Sequence, residues 1–185
     1  MKQQENREKI LAAALNLFNR FGVDATPTAR ISKEAGVSTG TLFYYFPDKH
    51  TLVDHLYLAI KREMSEAIRA SDKPGEPPRQ RLVLCMRGYI AWGIEHPEKV
   101  RFLDQFYNSP GIGEDINKEI HEEFAWMFNL VEDAVHAGVL PDLPPEFFGI
   151  LFTRVASGIL TLIESGESGM SREEIIDNGL ALILR

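Results

Sequence analysis

The chain has 185 residues, 44% of them hydrophobic, which is enough to bury a core without staples, and its single cysteine excludes an intramolecular disulfide. A formal net charge of -7 is the wrong sign for a protein that binds nucleic acid with its whole surface. No uninterrupted apolar run reaches the ~20 residues of a membrane span, and the opening Met-Lys-Gln-Gln-Glu-Asn lacks a signal-peptide core, so a cytoplasmic protein with no membrane partner is expected. The lone Cys85 fits a reducing compartment and reads as a small core residue of a helix.

Taken in chain order, residues 4–22 place Ile10, Ala14, Leu17, Phe18 and Phe21 at intervals of three and four, which predicts an amphipathic helix ended by Gly22. Thr26 followed by Pro27 predicts a second helix over about 27–35, with the threonine hydroxyl as its cap and proline at its first position. From Ile31 to Phe46 the chain reads as two short helices joined by a tight turn containing Gly36, the residue best able to take a left-handed backbone. Ile31 and Ala35 before the turn, and Val37 and Leu42 after it, supply a miniature core, with Ser32 as the small residue at the crossing. On the outer side remain Ser38, Thr39, Gly40, Thr41, Tyr44 and Tyr45. Hydroxyls, a bare glycine and aromatic rings with polar tips suit phosphate oxygens and base edges, so the pair is expected to be a helix-turn-helix whose second helix enters a DNA groove. Retention of such a unit for structure or for protein binding is the alternative.

The run Ala-Gly-Val-Ser-x-Gly-x-Leu-x-x-Tyr-Phe-x-x-Lys, here Ala35 to Lys49, resembles the signature of the tetracycline-repressor (TetR) family of bacterial transcription regulators. The resemblance is specific over roughly residues 5–55 and beyond them is one of length and helical layout. Phe43 departs from it, since tyrosine is commoner there, a change of little effect if the ring packs inward. The resemblance implies an all-α fold of about nine helices: a three-helix DNA-binding domain over residues 1–48 and a helical ligand-binding and dimerisation domain over 49–185. It also implies a homodimer on a palindromic double-stranded operator, acting as a repressor that a small-molecule effector releases. The DNA contacts expected are Thr26, Thr28, Ser38, Thr39, Gly40, Thr41, Tyr44, Tyr45 and Lys49, the last as a phosphate contact.

The charge balance accommodates this reading once it is divided. Residues 1–50 carry seven Lys and Arg against five Asp and Glu, and the rest carry thirteen against twenty-two. Screening confines charge interactions to about 8 Å at physiological salt, so the local sign governs phosphate contact and the acidic remainder favours docking by the front end.

After Phe46-Pro47 breaks the reading helix, Asp48 caps a long helix expected over 49–70, the natural lever between head and body. Ser71 to Pro78 is a loop rich in helix breakers, followed by helices at 79–95, at 97 to about 107, at 114–137 up to Gly138, at 144–164 and at 171–184. The last opens with Ser171-Arg-Glu-Glu174, a capping box. The aromatic residues Tyr89, Trp92, Phe102, Phe106, Tyr107 and Trp126, with His121, Arg87 or Gln105 as polar groups, are candidates for an effector pocket. A filled core would use the same aromatics.

No catalytic or metal-ligating pattern is present: His121-Glu122-Glu123 lacks the second histidine of a zinc helix, and no glycine-rich phosphate loop occurs. Neither enzyme activity nor a cofactor is expected, and a helical small-molecule enzyme or a regulator without an inducer are the competing readings. Between Phe147 and Ile163 only Arg154 is charged, and apolar residues go right round the helical wheel. With the last helix this predicts a four-helix bundle between two copies, built from Phe148, Phe152, Val155, Ile159, Leu160, Leu162, Ile176, Leu180 and Ile183, and Gly149, Ala156 and Gly158 offer close approach. The alternative is a core helix wholly inside one chain.

Overall fold

The computed structural model describes residues 2–106 and 112–184, and among these the chain forms nine α-helices and no β-strand. They are α1 (Lys2–Phe21), α2 (Thr28–Glu34), α3 (Thr39–Tyr45), α4 (Lys49–Ser71), α5 (Pro78–Glu95), α6 (Pro97–Phe106), α7 (Glu114–His136), α8 (Pro145–Ser165) and α9 (Arg172–Ala181). The expected helices are all present, and several of their ends carry the anticipated signals. Gly22 and Gly138 take positive φ at the ends of α1 and α7. Asp48 accepts from the Thr51 amide at 2.7 Å at the start of α4, and Ser171 and Glu174 complete a reciprocal capping box on α9. The last helix is shorter than expected, since regular structure ends at Ala181, although Leu184 beyond it is buried.

Packing divides the chain into two compact units, Met1–Lys61 with Pro97–Ile120, and Arg62–His96 with His121–Arg185. The division falls inside α4 and α7. In the first unit α6 lies on α1: the Phe102 ring stacks on Phe18 with centroids 6.2 Å apart, and Asn19 donates to the Glu98 carbonyl at 2.7 Å. The apolar stripe read from the sequence forms the core here, with Ile10, Ala14, Leu17, Phe18, Ile31, Leu42, Phe46 and Phe102 all without exposed surface. Phe21, placed on that stripe, is instead exposed, with the Arg30 guanidinium 3.9 Å over its ring.

In the second unit α8 packs on α5 and α9. Gly179 permits the approach, because a Cβ there would meet Ile159 Cγ1 at 2.6 Å. Arg87 on α5 bridges to Glu173 (2.9 Å) and Asp177 on α9. The loop after α4 is tied down by Arg81, whose Nε and terminal nitrogen donate to the two Asp72 oxygens at 2.9 and 2.8 Å. This hydrogen-bonded fork holds the Asp72 carboxyl below its ordinary range, so its contribution is in place at neutral pH and is lost only as pH falls below about 4. Cys85 is buried, and burial pushes its thiol up to about 12, as suits a core position rather than a reactive one.

Only Phe148, Ala156 and Ile159 of α8 are buried in this chain, which corrects the idea of a helix covered on every side by its own body. By length and a mean hydropathy of 1.6, α8 also suffices to cross a membrane, yet its buried residues pack within a helical unit and Arg154 stands at mid-helix.

Gly88 on α5 supplies a test of the packing. A Cβ there would lie 2.7 Å from Ser71 Cβ and 3.4 Å from the Ala67 carbonyl oxygen. Alanine normally favours a helix over glycine by up to about 1 kcal/mol, but overpacking costs about 1–3 kcal/mol. Gly88→Ala is therefore expected to lower the midpoint of thermal unfolding, as read by circular dichroism.

Candidate nucleic-acid interface

The two short helices of the head are held by a turn and a small core. Gly36 sits at φ +68°, its amide donates to the Lys33 carbonyl at 3.2 Å, and the Val37 amide donates to Ser32 at 3.0 Å, closing α2. Ile31, Ala35, Leu42 and Phe46 are buried, so α3 can turn only its other side outward. Ser38 caps α3 by accepting from the Thr41 amide at 3.0 Å, and its hydroxyl is 2.8 Å from that of Thr41.

The outward side carries the expected residues Ser38, Thr39 and Gly40, all exposed, with Thr41 and Thr28 half-buried. A Cβ on Gly40 would meet nothing closer than Ser38 Oγ at 3.8 Å, so its backbone lies open to approach. Tyr44 is 72% exposed. Tyr45 is half-buried, its ring edge-on to Tyr44 with centroids 5.2 Å apart and tilted against Phe46. Phe43, expected to matter little if it packed inward, is 42% exposed and adds an apolar ring to this side of the head.

Two expected contacts have other duties. Thr26 does not cap α2 and has no exposed surface; its hydroxyl donates to the Gly22 carbonyl at 2.7 Å, closing the end of α1, and Pro27 occupies the cap position without a side-chain bond. A buried hydroxyl committed to a carbonyl cannot reach DNA, so Thr26 leaves the set. Lys49 is half-buried, and its ammonium donates to the carbonyls of Val23 (2.9 Å), Asp24 (3.1 Å) and Thr26 (3.5 Å). Those bonds engage all three of its hydrogens, so Lys49 ties the loop after α1 to the start of α4 while its charge still adds to the local field. Sequence reading missed Arg30 and Arg20, whose guanidiniums lie 3.9 and 5.2 Å from the centroid of Phe21. The aromatic at the end of α1 with arginines at positions 20 and 30 was the available signal.

The candidate effector residues fall in both units. In the first, Phe102 is fully buried against Phe18, and Phe106 lies against Phe102 and Tyr57, with ring centroids 4.9 and 6.0 Å away. Gln105, suggested as a polar lining group, donates to Asn19. In the second unit Tyr89 and Trp92 are buried, with Trp92 Nε1 donating to Glu63 at 3.0 Å. Trp126 is half-buried under Arg69, and exposed His121 stacks on Phe128. Tyr107 lies outside the described residues. The second unit also holds a groove of about 530 Å³ lined by Glu132, Val135, His136, Asp142, Leu143, Pro144 and Pro145, none of them expected from the sequence. No group of three or more metal-ligating side chains occurs among the described residues.

Of the expected assembly residues, Phe148, Ile159, Ile176 and Leu180 are buried within the chain; Phe152, Val155, Leu160 and Ile183 are half-buried, and Leu162 is exposed. Phe147, Ile150, Leu151 and Leu182, which were not in that set, are exposed as well.

A three-helix head that packs two seven-residue helices through one face and turns hydroxyls, a bare glycine and a tyrosine out of the other is a helix-turn-helix for reading DNA. Residues 10–56 match the profile of bacterial regulatory proteins of the tetR family. The head is therefore a DNA-binding domain of the tetR type, and the chain is similar to transcriptional regulators of that family. It is 20% identical to YhgD of Bacillus subtilis strain 168, an uncharacterized HTH-type transcriptional regulator, over 92% of this chain and 91% of that one. It is 36% identical to the HTH-type transcriptional repressor KstR of Rhodococcus jostii RHA1 over 45% of this chain, and 33% identical to the HTH-type regulator BetI of Vibrio atlanticus LGP32 over 44%. These two matches span 39% and 42% of the relatives' own lengths. The crystal structure of a TetR family transcription regulator from Marinobacter aquaeolei VT8 superposes with a TM-score of 0.86 at 22% identity, covering 100% of this chain and 99% of that one, which shows the shared fold.

The two kinds of contact separate by mutation. Tyr44→Ala is expected to weaken binding to the selected operator by about 1–3 kcal/mol, the scale of a lost base contact, with thermal stability unchanged. Lys49→Ala is expected to lower thermal stability by about 1.5–3 kcal/mol, the scale of hydrogen bonds to a charged group, and to weaken DNA binding with it. Anisotropy titrations across a salt series, paired with thermal melts, check both.

Proposed function

We propose that the chain is a homodimeric repressor that binds a palindromic double-stranded operator through two copies of the α2–α3 head, and that a small molecule releases it. The observation that carries the DNA half is the outward side of α3, where Thr39, Gly40 and Tyr44 are exposed while Leu42 and Phe46 anchor the helix. The word repressor rests on the family and on the name of the Rhodococcus relative. A cytoplasmic place of action follows from the same reading.

The dimer half is supported by α8. Phe147, Ile150, Leu151, Gly158 and Leu162 are exposed at helical spacing, with Arg154 among them, so one apolar stripe remains in water in a single chain. A Cβ on Gly149 or Gly158 would meet nothing within 4 Å, which leaves room for another helix. A glycine inside a helix costs up to about 1 kcal/mol relative to alanine, and close approach by a partner gives it a reason. A two-fold pairing of this stripe with its symmetry mate sets two reading helices against the half-sites of a palindrome.

An effector acts by binding the DNA-incompetent arrangement of the dimer more tightly, since a ligand shifts an equilibrium only through its differential affinity. Trp92 and Trp126 are the natural fluorescent reporters of its binding. The expected result for Ile150→Glu with Leu162→Glu, both exposed in the single chain, is a folded monomer by sedimentation that no longer binds operator. A wild-type protein sedimenting as a folded monomer at micromolar concentration refutes the dimer.

A further inference from the structure

The two contacts of the Ser32 hydroxyl bear on the direction in which one residue of the reading helix bonds. Ser32 Oγ lies 3.1 Å from the Ala29 carbonyl oxygen and 3.2 Å from Thr39 Oγ1. A carbonyl only accepts, so the single Ser32 hydroxyl hydrogen goes to Ala29. The contact with Thr39 then requires Thr39 to donate into Ser32. Ser32 is 3% exposed, so no solvent competes for its free lone pair, and no buried side-chain polar atom among the described residues lacks a partner. Thr39 is exposed at the first position of α3, the end of a recognition helix that meets base edges. With its hydrogen turned inward, Thr39 offers the groove only acceptor lone pairs and a methyl group.

We propose that Ser32 polarises Thr39 into an acceptor-only reader, so that at one base pair of each half-site the protein selects a base presenting an amino group in the major groove, adenine or cytosine, over a keto base, guanine or thymine, on the contacted strand. The amino groups N6 of adenine and N4 of cytosine donate there, whereas guanine O6 and thymine O4 accept and would face an oxygen without a hydrogen. A phosphate, which only accepts, is an equally poor partner for this oxygen. Thr39 is thereby a specificity-determining residue and Ser32 a positioning residue that need not touch DNA. The inference deepens the reading of α3 as the DNA-contacting helix and rests on it.

The test is selection from a randomised duplex pool by the full-length protein, wild type, Thr39→Val and Ser32→Ala in parallel. A net hydrogen bond of about 1 kcal/mol corresponds to roughly fivefold in affinity. Wild type is expected to prefer amino over keto bases about fivefold at one position per half-site. Thr39→Val, which keeps the shape and removes the oxygen, is expected to lose that preference alone. Ser32→Ala frees the Thr39 hydrogen, so keto bases become acceptable at the same position while preferences elsewhere stay. Thermal melts accompany both variants, and Thr39→Val, at an exposed site, carries the test if Ser32→Ala does not fold. A Thr39→Val profile identical to wild type overturns the contact, and a Ser32→Ala protein that folds and keeps the amino preference overturns the positioning role. A wild type that selects no sequence at all instead sinks the DNA-reading assignment on which both depend.

Discussion

Helices of seven residues cannot sustain themselves in water, because nucleation costs more than so few hydrogen bonds return. Both α2 and α3 are of this length, and everything the head presents to DNA therefore depends on the burial of Ile31, Leu42 and Phe46 against α1. The Gly36 turn brings those residues to one side. Their burial chooses the face of α3 that remains outside, so the reading surface is what the core leaves over. Thr39, Gly40 and Tyr44 are exposed, and their polarity is compatible with either water or a groove.

The polar groups of the head divide between building the surface and being it. The Ser38 side chain spends its acceptor on the Thr41 amide, Ser32 shares a hydrogen bond with Thr39, and Lys49 gives its hydrogens to three carbonyls of the loop between α1 and α2. Each of these residue types looks like a DNA ligand in isolation. The geometry assigns them to fixing the backbone and hydroxyl orientations instead, and pre-ordered donors and acceptors lose less entropy when a partner arrives.

In the second unit α8 has two incompatible-looking faces that share one helix. Phe148, Ala156 and Ile159 close the core with α5 and α9, while Phe147, Ile150, Leu151 and Leu162 stay in water. Glycine serves the two sides differently: Gly179 on α9 lets Ile159 come close inside the unit, and Gly158 leaves an open surface outside it. An apolar residue exposed alone needs no explanation, but a stripe of them along one helix does.

Much of the fold was legible in the sequence, because helix caps, breakers and the spacing of apolar residues are local and act through the chain's own backbone. Gly22, Gly36, Asp48, Gly138 and the Ser171 capping box behave as their positions predicted, and the Ala35 to Lys49 run announced the head. Only the tertiary structure decided which side chains those elements turn outward and what each polar atom is already bonded to. Thr26 faces inward because the end of α1 needs its hydroxyl, Lys49 finds carbonyls 23 to 26 residues earlier in the chain, and Arg30 meets Phe21 across two helices. The same limit holds for α8, whose composition shows that it must be covered but not which half its own chain covers. Periodicity reports that a face is apolar, whereas partnership depends on residues brought together from distant parts of the chain, and no local pattern encodes those distances.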